Sequence, residues 1–330
     1  MRKLVTKRTI SNLAPIEGAD KIEVATVDGW ECVVKKGEFF VGQEVAYFEI
    51  DSFLPEGNEN WQFLVDRSSK VNYGIRGHIL RTVKLKGQIS QGLVLNSSVL
   101  DGLDDYLDYA EQLGIKVYEP ESNFAGENKP LPVFIPKTDQ ERIQNLLESI
   151  GLIKNEPFTV TEKLEGLPMT VFFNQGEYGV CTQRVRLDLE APIAPFYCEM
   201  AKRLDLEAKL AKLGRNIAVQ GELVGPKIQS NLYKLNTHAY FIFSVWDIDR
   251  RTYLEWWEVN QVANTLGVPT VPVLSYGKVS EDSVKGFLES AKGFSKLNPE
   301  TVREGIVMFR GDAKFSFKVI NNDYLLKGAK

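Results

Sequence analysis

The chain has 330 residues, long for a single core and comfortable for two domains, with the 43% hydrophobic and 25% charged content of a globular protein. A net charge of −4 argues against a uniformly basic nucleic-acid binder, and two histidines, His78 and His238, leave little for histidine-centred catalysis. Cys32, Cys181 and Cys198 are spaced neither as a disulfide framework nor as a zinc site, and no secretory leader or long apolar span is visible. A reduced, cytoplasmic, monomeric protein with no membrane partner is expected.

Residues 1–118 show short alternating runs, Ile22–Val27, Trp30–Val34, Glu44–Ile50, Ile79–Leu85 and Gly92–Leu95, separated by turn signals such as Asp28-Gly29 and Lys36-Gly37. Strands at this spacing suit a small Greek-key barrel of the OB type. From Arg67 to Lys86 six basic residues occur without an acidic one, and Arg76, Arg81, Lys84 and Lys86 are candidates for RNA backbone contact. The acidic run Asp101–Glu111 reads as a solvated face.

The prolines and polar residues of 119–136 predict a stiffened linker between that domain and a second one at 137–330. Thr138-x-x-Glu141 reads as a capping box opening a helix that runs to Ile150 and stops at Gly151. Strands follow at Phe158–Glu162, Thr170–Phe173 and Tyr178–Gln183, then a helix from Pro195 to Leu213 and strands Ile217–Leu223 and Tyr240–Ile248. Helix Glu255–Leu266, strand Val271–Leu274, helix Ser280–Ala291 and strands Gly305–Phe309 and Phe315–Ile320 complete the pattern. Hairpin-like runs of strands predict an α+β domain with mainly antiparallel sheets.

Within Phe158–Phe173, Lys163 stands at a strand end before a turn at Gly166, between Glu162 and Glu165, where a lysine can act as a covalent nucleophile. A K-x-x-G alone says little, and Lys84-Leu85-Lys86-Gly87 is a second copy. What raises it is the order of further segments: Gly221-Glu222-Leu223, Phe241–Val245 with Phe243, Glu304–Met308, and Lys318 on the last strand.

Together these resemble the nucleotidyltransferase motifs of covalent polynucleotide ligases and capping enzymes. The phrases IPKTDQERIQNL, VTEKLEG, GELVGPKIQ, EGIVMF and SFKVINNDYLL are similar to those of ATP-dependent RNA ligases of the Deinococcus/Naegleria type, which carry an OB domain before an ATP-grasp-like nucleotidyltransferase domain. The resemblance implies ATP as substrate, Mg²⁺ or Mn²⁺ as metal, and nicked duplex RNA as partner. It makes Lys163 the nucleophile, with Glu304 near the reacting phosphate and metal and Lys318 at the α-phosphate. It assigns Glu162 to the adenine amino group, Glu222 to a ribose hydroxyl and Phe243 to stacking on adenine. Arg142 and Gly166 are expected near the nucleotide, and Glu165 at metal-bound water. Arg184 is the expected arginine after the nucleophile strand, with Arg186 as the alternative. The second lysine usual in the last motif is absent, leaving Lys314 as a misplaced substitute. The rival readings are a DNA ligase and a noncatalytic RNA-binding OB protein.

Overall fold

The computed structural model describes residues 2–64, 69–72, 74–118, 129–189, 195–311 and 315–328. Arg67, Lys314 and the linker positions 119–128 lie outside the described residues. The described chain divides into two units, residues 2–118 with 144–147 and 325–328, and residues 129–143 with 148–324.

In the first unit five antiparallel strands pair in the order Leu93–Asn96, Glu44–Phe48, Val5–Pro15, Ile22–Val27, Trp30–Lys35. A second sheet runs Lys116–Val117, Ser52–Pro55, Ile75–Ile79, Ser69–Asn72. The sequence EVAYF explains why Glu44–Phe48 is an inner strand buried on both faces. Its side chains alternate between faces. Val45 and Tyr47 enter a core with Ile10, Trp30 and Val94, whereas Ala46 and Phe48 enter one with Leu54, Trp61 and Tyr109.

Three sequence expectations change here. The strand Val5–Pro15 was hidden by its charged positions Lys7 and Arg8, though Val5 and Ile10 are fully buried. The run expected at Ile79–Leu85 divides into Ile75–Ile79 and Thr82–Leu85, because Leu80 turns aside to exchange backbone bonds with Asp51 and Ser52. The acidic run is not merely solvated. Asp108 accepts hydrogen bonds from the backbone N–H of Leu4 (3.1 Å) and Val5 (2.9 Å), closing the start of the first strand.

The second unit holds two sheets. The larger runs Lys129–Pro130, Val185–Arg186, Glu177–Cys181, Leu167–Asn174, Ile217–Val224, Ala239–Asp247, Thr252–Tyr253. The smaller runs Glu141–Arg142, Ser316–Ile320, Gly305–Phe309, Pro157–Lys163, Val273–Lys278. All pairings in both are antiparallel except that of Glu141–Arg142 with Phe317–Lys318. Met169, Val171, Val219 and Val245 face a core shared with Leu206, Leu210, Val259 and Leu266 of the helices.

The linker was expected to reach Pro136, but residues 129–136 belong to this unit. Ile135 is buried, Phe134 meets the Phe172 ring edge-on at 5.4 Å, and the Phe134 carbonyl accepts from Trp246 Nε1 at 2.9 Å. The helix expected to start at Thr138 is also corrected. Glu141–Arg142 is extended as an edge strand, and the helix is only Leu147–Ile153, with Gly151 inside it. The single helix expected over 195–213 breaks into Pro195–Arg203 and Leu206–Leu213, with Asp205 at φ 51°. A continuous helix would turn Leu206 roughly 120° away from Met200. The break lets both bury in one core. Among the described residues no helix is long and apolar enough to cross a membrane.

Asp108→Ala leaves three backbone donors, those of Leu4, Val5 and Ala110, without their acceptor. The loss is expected to be about 1–3 kcal/mol, read as a lower denaturation midpoint; an unchanged midpoint would mean that water replaces the carboxylate at no cost.

Candidate active site

A cavity of about 470 Å³ opens between the two sheets of the second unit. Alternation along Pro157–Lys163 aims Thr161 and Lys163 at it, and the pairing Lys163↔Gly305 sets Glu304 beside the lysine. Lys163 Nζ donates to Glu304 Oε1 at 2.6 Å. Lys318 enters from Ser316–Ile320, opposite Val307 on one side and Arg142 on the other. Its Nζ donates to Asp139 Oδ1 at 2.7 Å. Glu222, Phe243 and Ser244 come from the larger sheet.

Phe243 owes its position to a bulge. Gln220 pairs with Ser244 and Gly221 with Ile242, so Phe243 is an extra residue without a partner across the ladder. Two consecutive side chains, Phe243 and Ser244, therefore both border the cavity.

The charges are strongly coupled. Burial lowers the Lys163 affinity for its proton, but Glu304 and Glu222 outweigh it and hold the ammonium above its ordinary pKa, while Arg142 opposes them. Lys163 is thus held as an ammonium in the resting site. Burial pushes the Glu222 carboxyl up to about 8; Lys163 opposes the shift and Glu304 adds to it. Glu222 thus holds its proton more tightly than an ordinary carboxyl, burial outweighing the pull of the Lys163 ammonium. Burial, Arg142 and Lys163 bring Lys318 below its ordinary value, and Asp139 resists.

Several expected residues are placed differently. Glu162 borders the cavity, but alternation turns its buried carboxylate away from Lys163, where Oε2 accepts from the Lys296 backbone N–H at 2.7 Å. Burial raises its pKa. The Glu165 carboxylate does not join Glu304: it accepts from Ser230 Oγ at 2.9 and 3.1 Å and from Ser230 N–H at 3.2 Å. Arg184 is exposed on the turn beyond Cys181, and the side chain that reaches the cavity there is Gln183. Arg186 pairs with Glu177 at 2.5 Å and lies over the Phe172 ring. Arg76, Arg81, Lys84 and Lys86 are exposed in the first unit, with Arg76 3.6 Å from Glu56. The sequence reading missed Asp139, Gln183 and the apolar recess of Tyr253, Trp256, Val271 and Phe309.

Glu304 Oε2 is buried and has no hydrogen-bond partner among the described residues, a donor atom suited to a cation or its water. No group of three or more metal-type side chains occurs among the described residues, so phosphate and water would complete any such shell.

Gly166 is required by close packing. A Cβ there would lie 2.5 Å from the Leu223 carbonyl oxygen and 2.8 Å from Glu222 Cγ. Gly166→Ala must spread the strands Leu167–Asn174 and Ile217–Val224, at an expected cost of about 1–3 kcal/mol. Chemical denaturation of parent and variant measures it; coincident curves would show that the strands separate freely.

An OB-fold domain family matches residues 4–97, and an RNA ligase family matches residues 156–320. A ligand-free aspartate-to-alanine variant of Naegleria gruberi RNA ligase superposes with a TM-score of 0.88 at 40% identity, covering 98% of this chain and 97% of that one. A lysine-to-alanine variant of the same ligase with ATP and Mn gives 0.88 at 40% identity, covering 98% of both chains. The same ligase with pyrophosphate gives 0.87 at 40% identity over 98% of both. A search of curated protein sequences returned no match. The likeness spans the OB-fold unit and the nucleotidyltransferase unit together, and the chain belongs to the RNA ligase family, in the group that carries an OB-fold domain ahead of the ligase domain.

Proposed function

We propose that this chain is an ATP-dependent RNA ligase, acting as a monomer, that joins 3′-hydroxyl and 5′-phosphate ends at nicks in duplexes with RNA on the 3′-hydroxyl side. The carrying observation is Lys163 Nζ held 2.6 Å from Glu304 in a cavity also lined by Lys318, Glu222 and Phe243.

The Lys163 amine, once deprotonated, attacks the α-phosphorus of ATP; the P–N bond forms as the bond to pyrophosphate breaks. Lys318 and Arg142, side by side across two strands, face the charge that builds on the phosphate oxygens. Phe243 from one sheet and Val307 from the other offer apolar faces to the base, and the Glu222 carboxyl hydrogen-bonds a ribose hydroxyl. A divalent cation held through Glu304 would offset triphosphate charge and weaken that carboxylate's hold on the ammonium. The AMP then passes from Lys163 to the RNA 5′-phosphate, freeing the lysine. Attack by the 3′-hydroxyl forms the phosphodiester and releases AMP.

The exposed Arg76, Arg81, Lys84 and Lys86 supply phosphate contacts along the duplex, which is read mainly by shape and backbone. The adenine contact assigned to Glu162 falls to Oε1, which is buried with no hydrogen-bond partner among the described residues, Oε2 being held by the Lys296 N–H.

Incubation with α-labelled ATP and Mg²⁺ followed by denaturing electrophoresis tests the reaction. The parent is expected to retain label, and Lys163→Ala to retain none while keeping a native circular dichroism spectrum. Label on the variant would place the nucleophile elsewhere.

A triple change of Arg76, Arg81 and Lys84 to alanine is expected to flatten the salt dependence of nicked-RNA binding by about two to three units of log–log slope. Lysine labelling should be unaffected. An unchanged slope would make these side chains merely solvated.

A further inference from the structure

Asp139 is the acid that meets Lys318, and its surroundings distinguish the pair from an ordinary surface bridge. The Lys318 side chain is only 18% exposed, whereas Asp139 is half exposed at the cavity rim. Lys318 has cations on two sides. Arg142 stands directly opposite it in the parallel pairing, and Lys163 shares the cavity. The Lys163 charge is matched by Glu304, and Asp139 does the same for Lys318.

The loop carrying Asp139 is tied at both ends. On one side the Pro136 carbonyl accepts from Gln220 Nε2 at 2.9 Å, and Gln220 Oε1 accepts from the hydroxyl of Ser244, the neighbour of Phe243. On the other, Glu141 and Arg142 are fixed in register with Phe317 and Lys318. A carboxylate so anchored sets where the flexible lysine places its ammonium. Without it, repulsion from Arg142 and Lys163 would drive the ammonium outward or favour loss of its proton. Misplacement of a group that must meet a reacting phosphate costs rate rather than binding.

We infer that Asp139 is a positioning residue for nucleotidyl transfer, holding the Lys318 ammonium where it meets the α-phosphate; this rests on the ligase reading above.

The test is single-turnover labelling of the full chain by α-labelled ATP over a range of ATP concentrations, for the parent, Asp139→Asn, Asp139→Ala, Asp139→Glu and Lys163→Ala. Asn and Ala are expected to lower the maximal rate at least about tenfold, with half-saturating ATP within about twofold of the parent. Glu is expected to restore most of the rate. Parental rates in the Asn variant, or a change confined to half-saturating ATP, would overturn the inference. Equal loss in the Glu and Asn variants would also overturn it, since disruption of the loop then suffices. If the parent labels, Lys163→Ala does not, and Asn behaves as parent, only this inference fails. If the parent does not label, the ligase reading fails with it.

Discussion

The ion pair between Lys163 and Glu304 is the constraint to which the second unit is built. Both side chains are largely withdrawn from water, and two such charges are tolerated only when their geometry is fixed. The fixing is done by backbones packed closer than side chains normally allow. At Gly305 a Cβ would lie 2.2 Å from the Val319 carbonyl oxygen, so the strand that delivers Glu304 presses against its neighbour without an intervening side chain. Gly166 does the same between the turn after Lys163 and the strand bearing Glu222. Neither glycine is at positive φ, and both are explained by space alone.

The cavity draws on both sheets of the second unit. The smaller carries Lys163, Lys318 and Arg142, with Glu304 immediately before its strand Gly305–Phe309. The larger contributes Glu222, Phe243 and Ser244. The pairs Lys163–Glu304 and Lys318–Asp139 both begin on the smaller sheet, so its strand register sets where these two ammoniums sit. The larger sheet, backed by Leu206, Leu210, Val259 and Leu266, gives a stiff apolar wall.

Much of this was legible because the motif residues sit at strand ends whose hydrophobic runs are plain. Gly305–Phe309 emerged with the boundaries read from its sequence, and Ile217–Leu223 gained one residue. The illegible parts depend on distant partners. Asp139 and Lys318 are separated by 179 positions, and nothing local distinguishes Asp139 from a capping-box residue. Residues 129–136 looked like linker from their prolines, yet Phe134 and Ile135 cover a sheet face that does not exist until the chain folds. The helix break at Asp205 was masked by a sequence of good helix formers on both sides. Glu162 and Glu165 flank Lys163 in sequence, but strand alternation and the Ser230 loop send their carboxylates elsewhere.

The unpaired residue at Phe243 acts as a phase shifter in its strand. Tyr240 and Ile242 face the core before it and Val245 faces the core after it, so inward positions change from even to odd numbers at that point. Loss or gain of one residue anywhere between Ala239 and Asp247 would swap inside for outside along half the strand unless the bulge were removed or doubled. The aromatic beside the cavity and the buried parity of the sheet are therefore one unit. A length change that keeps the bulge has to come in even steps, and an odd step is open only by removing or doubling it.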